Sequence, residues 1–281
     1  MIKPGYIIFT DLDGTLLDAE NYSAGAAVEA LQYVREEGIP LIFVSSKTAM
    51  EILRYREKLK NIHPFICENG GGLYIPRGYF EGQVEEGKYE VIGLGAEYSM
   101  LRRELKEAAS RMKIELSDMV DMTDKEIMAL TNIRGDEVPL ARQRGFDEPF
   151  VIRSGDPIGD SEKLKFYFQE RHLNIVRGNR FFHLTGNSDK GAAVRLLQAR
   201  YQEAFGSEWN SIGFGDSQND LSMFKAVNVA IAVKKPPSPG HYDLDIRDFP
   251  GLCFADGIGP AGWNKEVLKL LKEKITLSKE K

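Results

Sequence analysis

Short apolar runs that stop abruptly at polar or glycine-rich residues recur in the first part of the chain. Between them lie stretches whose apolar residues return at the spacing of one helix face. Residues 6–10 (YIIFT), 40–44 and 64–67 read as strands, and residues 24–37, closed by Gly38, and 49–59 as helices. Strand, helix and strand in that rhythm indicate parallel pairing with right-handed crossovers. From about Val84 the pattern changes to a hairpin-like stretch rich in Gly and Glu. Helices at 96–112 and 124–131 follow, then a polar loop holding Pro149-Phe150-Val151-Ile152, a helix at 160–171, and strand-like stretches at 173–177 and 181–185. The alternation resumes with a helix at 190–205, a strand at 211–214, a helix at 220–227 and a strand at 229–233. A last helix from Trp263 runs out into a lysine-rich tail. The expected architecture is α/β: a Rossmann-like, doubly wound parallel-sheet core made of residues 1–83 and 188–281, with an α+β domain inserted at 84–187.

Composition narrows the function classes. A length of 281 residues allows one large domain or, the favoured reading, two modest ones, each able to bury its own core, and 42% hydrophobic with 28% charged residues is ordinary globular usage. The one Pro-rich patch spans 234–240. A formal charge of −5 gives no general attraction to nucleic acid or anionic lipid, so an anionic substrate must be held by local cations or a metal ion. Only Cys67 and Cys253 are present, which suits a reducing compartment and argues against cysteine-held zinc. One lysine before a four-residue apolar run is neither a secretory signal nor a membrane span. The expected setting is therefore cytoplasmic, with a small-molecule substrate, no nucleic acid or membrane partner, and either a monomer or a homodimer.

Candidate chemistry sits where strands stop. In open α/β sheets ligands gather beyond the carboxyl ends of the strands. Asp11 and Asp13 of "FTDLDGTLLD" are two apart in extended chain, so both carboxylates can face one volume. Like charges there repel unless a cation joins them or one stays protonated. An Asp-Gly turn that merely ends a strand is the plainer reading for such a pair taken alone. "GFGDSQND" puts Asp216 and Asp220 at another strand end; hard oxygen ligands of this kind suit Mg²⁺, although Asp220 could simply cap a helix. In "NSDKGAAV", Lys190 opens a strongly periodic helix, where its charge opposes the helix dipole and calls for an anionic partner. "FVSSKT" ends its strand in the hydroxyls of Ser45 and Ser46, a cradle for phosphate or an ordinary helix cap.

Asp-Leu-Asp-Gly-Thr, a serine at the second strand end, a lysine opening a helix, and Gly-Asp-Ser-x-Asn-Asp, in that order, resemble the four motifs of the haloacid dehalogenase superfamily of phosphotransferases. The insert is similar to that superfamily's type II (IIB) cap. "LARQRGFDEPF", "ENGG", "SDKG" and "GPAGWN" favour its mannosyl-3-phosphoglycerate phosphatase branch, whose members release the compatible solute mannosylglycerate. Relatives acting on glucosyl-3-phosphoglycerate or sucrose phosphate carry comparable motifs.

The resemblance implies roles. Asp11 would be the nucleophile, Asp13 the acid and base, and Ser45, Ser46 and Lys190 would hold the phosphoryl oxygens. A Mg²⁺ cofactor would be bound by Asp11, Asp13 through its carbonyl, and Asp216, with Asp220 in support. In the cap, Arg144 and Glu148, then Arg142, would recognise a phosphorylated sugar-acid substrate, with Lys47, Asn69 and Gly70 beneath. Arginines in a polar loop are usually solvated, and His183 reads as a packed histidine. A sugar phosphomutase and a non-catalytic phosphoacceptor are the alternatives. Retention of Asp13 beside the nucleophile argues against the second, because a stable phosphoacceptor gains nothing from a hydrolytic base.

Overall fold

The computed structural model describes residues 5–153, 155–178, 180–187, 189–206, 208–236, 249 and 251–279; of residues 272–279 only the backbone is described. Most of the Pro-rich patch and the side chains of the C-terminal tail thus lie outside the described residues.

An eight-stranded sheet forms the core. Its parallel strands are β1 (Tyr6–Thr10), β2 (Leu41–Val44), β3 (Phe65–Cys67), β10 (Asn210–Gly215), β11 (Val229–Lys234) and β12 (Cys253–Ile258). Antiparallel β4 (Gly72–Pro76) and β5 (Tyr89–Gly93) extend it beyond β3, giving the order β12-β11-β10-β1-β2-β3-β4-β5. The central strands are mostly apolar because both faces are covered. Ile8, Leu41, Phe43 and Phe65 pack with α1 (Val28–Glu36), α2 (Ala49–Lys58) and α9 (Gly259–Lys279). Their neighbours Ile7, Phe9, Ile42 and Ile66 pack on the other face with α7 (Lys190–Phe205) and α8 (Leu221–Phe224). Sheet and helices therefore have the doubly wound α/β form expected. Among the described residues no helix is long and apolar enough to cross a membrane.

A second, antiparallel sheet has the order β6-β7-β9-β8: β6 (Leu116–Asp118), β7 (Asp147–Ile152), β9 (Phe182–Thr185) and β8 (Asn174–Arg177). Leu101 and Leu105 of α3 (Tyr98–Met112) and Leu164 and Phe168 of α6 (Pro157–Gln169) bury its outer face. The smaller helices α4 (Asp124–Thr131) and α5 (Val138–Ala141) close a separate cluster with Met119, Met122 and Phe181.

Three expectations need correction. The chain leaves the core sheet only after Gly93, not at Val84, because Tyr89–Gly93 pairs along the whole of β4. As a half-exposed edge strand bearing Glu90, β5 lacks the apolar run that marks its buried neighbours. The supposed polar loop around Pro149 is β7, held between β6 and β9; its carboxylates Asp147 and Glu148 are both buried, which conceals it from a polarity reading. The helix expected at 220–227 is a 3-10 turn (Gln218–Asp220) followed by the single turn of α8.

The two sheets meet at a glycine-walled socket. Phe146, just ahead of β7, lies so close to Gly71, Gly72, Gly93 and Gly95 that a Cβ at those positions would fall 2.3, 2.9, 3.0 and 3.0 Å from its atoms. The backbone N–H groups of Gly145 and Phe146 donate to the Glu68 carboxylate at 3.0 and 2.8 Å. Close by, Gly186 packs on Ala96, where a Cβ would lie 2.6 Å from the backbone nitrogen.

Candidate active site

Three strand ends and one helix start converge. The backbone N–H of Asp11, just past β1, donates to Phe214 O of β10 at 2.8 Å, so the two acidic motifs are laced together where their strands end. A Cβ on Gly14 would meet Asp216 Oδ2 at 2.4 Å; with φ +81 the turn after Asp13 both needs and uses glycine here. Lys190, buried at the first turn of α7, donates to Asp11 Oδ1 at 2.7 Å and to Asp220 Oδ1 at 2.6 Å. Those two carboxylates answer the electrostatic demand of a lysine facing the helix dipole, while Asp189 caps the helix by accepting from Ala192 N.

Asp220 is more than a cap. Its second oxygen, Oδ2, accepts from the backbone N–H groups of Asp216 and Ser217 at 2.9 and 3.0 Å. With both oxygens engaged, Asp220 orients Lys190 and the Asp216 loop. Asp11 and Asp216 each keep an oxygen beyond their bonds to Lys190 Nζ and Ser217 Oγ. Among the described residues the oxygens of Asp11, Asp216 and Asp220 gather within 4.8 Å. Burial pushes the Asp11 carboxyl well above its usual range, aided by Asp220 and Asp216 and opposed by Lys190. Burial likewise pushes Asp216 up to about 6, with Lys235, 3.6 Å away, pulling against it. Burial alone would weaken the hold of Lys190 on its proton, but Asp11 and Asp220 outweigh it and raise its pKa. A buried trio of carboxylates sharing so few cations is short of positive charge, and its all-oxygen donors fit a hard divalent ion.

Asp13 lies beside this cluster. Its Oδ2 is 2.9 Å from Lys47 Nζ, and its buried Oδ1 has no hydrogen-bond partner. Lys47 also approaches Glu51 at 3.8 Å and the Tyr22 ring face at 4.7 Å. Ser45 is buried, its Oγ accepting from Lys47 N at 3.2 Å, and Ser46 is half-buried on the wall of the cavity between the two sheets. That cavity has a volume of about 340 Å³ and is also lined by Asp11, Asp13, Lys47, Arg144 and Asp216.

The other expected recognition residues lie elsewhere. Arg142 donates to the carbonyls of Met119 and Met122 and to Asp124, so it ties α5 to the β6–α4 loop and lies outside the cavity lining. Glu148 is fully buried on the opposite face of β7, cross-strand from Leu184; burial, aided by Asp118, pushes its carboxyl up to about 8. Asn69 donates to Asp147 Oδ2 at 2.7 Å and accepts from Asn219 at 3.0 Å, which uses both ends of its amide. Gly70, at φ +94, packs where a Cβ would fall 2.2 Å from Asp189 O, a structural close approach.

Sequence reasoning missed several residues at this junction. Asp147 accepts from Asn69, lies 2.9 Å from His183 Nδ1 and faces Arg144 at 3.6 Å; although burial opposes it, His183 and Arg144 hold its carboxyl below the usual range. His183, Arg180 and Tyr22 line the cavity. The only signal for Asp147 and His183 lay in strand parity, which becomes readable once β7 and β9 are known to be paired.

This fold and site define a class, and sequence comparison agrees with it. Residues 8–80 and 158–237 match the family of haloacid dehalogenase-like hydrolases, and the chain belongs to that family. Among its relatives, the glucosyl-3-phosphoglycerate/mannosyl-3-phosphoglycerate phosphatase of Methanococcoides burtonii is 37% identical across 95% of this chain and 97% of its own. The mannosyl-3-phosphoglycerate phosphatase of Pyrococcus furiosus is 34% identical across 81% of this chain and 90% of its own. A haloalkanoate superfamily phosphatase of Bacteroides thetaiotaomicron shares the fold with a TM-score of 0.66 at 16% identity, covering 95% of this chain and 94% of that one.

Proposed function

We propose that the protein hydrolyses the phosphate monoester of mannosyl-3-phosphoglycerate and of its glucosyl counterpart, through a phosphoryl group carried on Asp11. The observation that carries this reading is the cluster itself: a buried carboxylate at a strand end, paired with a buried lysine at 2.7 Å and followed two residues later by a second carboxylate. The substrate class follows the relatives that match nearly the whole chain.

Asp11 attacks phosphorus; the bond to the glycerate oxygen breaks, and Asp13 protonates the departing oxygen. Water then attacks the aspartyl phosphate, Asp13 takes its proton, and Asp11 is regenerated with release of inorganic phosphate. Lys190 and Ser45 hold non-bridging oxygens, with Ser46 at the cavity wall, and Asp220 keeps Lys190 in place. Mg²⁺ would be held by Asp11, Asp216 and the Asp13 carbonyl, and when bound it supplies neutralising charge for nucleophile and phosphoryl group. The α+β insert acts as a cap that contributes Arg144 to the cavity.

The test is phosphate release with Mg²⁺ from mannosyl-3-phosphoglycerate, glucosyl-3-phosphoglycerate, sucrose 6-phosphate and mannose 6-phosphate. We expect the two glycerate esters to exceed the others by at least about tenfold in kcat/KM, roughly 1.4 kcal/mol in the transition state. Equal rates on all four would refute the substrate class, and isomer formation without free phosphate would make the protein a mutase.

A further inference from the structure

The acidic cluster and the wall of the cavity beside it carry more positive charge than phosphoryl transfer uses, and nearly all of it is matched. Lys190 lies between Asp11 and Asp220, and Lys47 is 2.9 Å from Asp13 with Glu51 behind it. Arg144 faces Asp147 and donates to Ser46 O at 2.9 Å, and Lys235 pairs with Asp216. Arg180 differs. It sits in the turn between β8 and β9, lines the cavity, and donates to the Tyr22 hydroxyl and to Ala19 O at 2.9 Å, both uncharged acceptors. Among the described residues no carboxylate stands within ion-pair distance of it.

A guanidinium that is fixed in place by neutral acceptors keeps its full charge and further N–H groups for a planar anion, which it binds in a two-point fork. Its position suits such an anion. Arg180 rests on Tyr22, the Tyr22 ring covers Lys47, and Lys47 touches Asp13, so only one ring and one lysine separate Arg180 from the proposed proton donor. In a 3-phosphoglycerate ester the carboxylate is two carbons from the esterified one, so a leaving oxygen beside Asp13 brings the carboxylate toward this wall. Arg142 and Arg144, the more obvious candidates from sequence, are occupied by cap carbonyls and by Asp147.

We propose that Arg180 is a specificity-determining residue that binds the substrate's carboxylate, selecting phosphate esters of hydroxy acids over neutral sugar phosphates. The assignment rests on the phosphatase reading above and adds to it the group that is recognised.

The test measures inhibition constants of 3-phosphoglycerate and glycerol 3-phosphate, which differ in the carboxylate, against Mg²⁺-dependent hydrolysis of p-nitrophenyl phosphate by the full chain. Wild type should bind 3-phosphoglycerate at least tenfold more tightly. Arg180→Gln, which keeps polar contact with Tyr22 and Ala19 but lacks the charge, should bring the two constants within about threefold, since rim charges sustain part of such a difference. Arg180→Lys should recover part of the preference, and Arg142→Ala should keep it. An unchanged ratio in Arg180→Gln, or a wild type that does not distinguish the two esters, overturns the proposal. A ratio that depends on Arg180 in an enzyme showing no preference for mannosyl- or glucosyl-3-phosphoglycerate would leave the carboxylate site standing and refute the substrate reading instead.

Discussion

The two sheets treat buried carboxylates in opposite ways. At the carboxyl end of the eight-stranded sheet Asp11 and Asp216 emerge where their strands end, and Asp220 follows one turn later; all three turn toward one point, where Lys190 pairs with Asp11 and Asp220 and Lys235 with Asp216. In the four-stranded sheet Asp147 and Glu148 are adjacent within one strand, and the pleat sends them to opposite faces. Asp147 reaches Asn69, Arg144 and His183, while Glu148 is buried near Tyr98 and Asp118. A strand end tolerates a reading error of one residue. Mid-strand, the same error inverts the conclusion.

Substitutions can break this contrast. The largest effect should come from Asp11→Asn: a loss of at least about a thousandfold in kcat/KM, because no carboxylate remains to carry the phosphoryl group. Phosphate release measures it, and a variant retaining a tenth of wild-type turnover would remove Asp11 from the mechanism. Lys190→Met strands Asp11 and Asp220 in the interior and should cost about 3–5 kcal/mol in urea unfolding at pH 7.5. Its failure to destabilise would show that the carboxylates do not depend on that lysine. Asp147→Ala leaves Arg144 and His183 without their shared acceptor and should cost about 3 kcal/mol by the same measurement.

Glu148→Gln should act in the other direction. Folded, the Glu148 carboxyl holds its proton up to about pH 8, whereas its ordinary value is 4.5. Its contribution to stability is thus complete below the unfolded value and is lost as pH rises toward 8, where the unfolded chain releases a proton that the folded chain retains. The glutamine variant should therefore be more stable than wild type at pH 8.5 by more than about 1 kcal/mol, with the advantage shrinking at pH 5. Equal stability of the two proteins across that range would mean that Glu148 is solvated.

The smallest expected effect is a rise of a few degrees in the wild-type Tm on adding millimolar Mg²⁺, through preferential binding to the folded state. Asp216→Asn should abolish that rise. A metal shift that survived in this variant would place the ion elsewhere.

The same contrast explains what the sequence could show. Buried parallel strands are apolar runs, and an acidic residue that stops such a run announces itself; Asp11, Asp13, Asp216 and Asp220 needed no knowledge of pairing. Lys190 at a helix start asked for an anion, and its contacts are Asp11 and Asp220. The insert was harder to read. Its strand β7 is half polar, its junction residues are chosen by pleat parity, and partners such as Arg180 and Tyr22 lie 158 positions apart. Arg144 was half legible: its charge stood out, but the Asp147 it faces could be found only after the strand was known. Edge strand β5 (YEVIG) escaped notice because Glu90 interrupts its apolar residues, as exposure allows, and the stretch ahead of it is rich in Gly and Glu.

Gly186 against Ala96 has a consequence for the history of such a molecule. To the layer beneath, everything from residue 96 to 186 is a loop closed at its own base, and the closure entropy of such a loop grows only with the logarithm of its length. One catalytic floor can therefore be refitted with larger, smaller or differently charged roofs at little cost to its own folding. New preferences among esters can then arise by exchanging a module and leaving the chemistry below untouched.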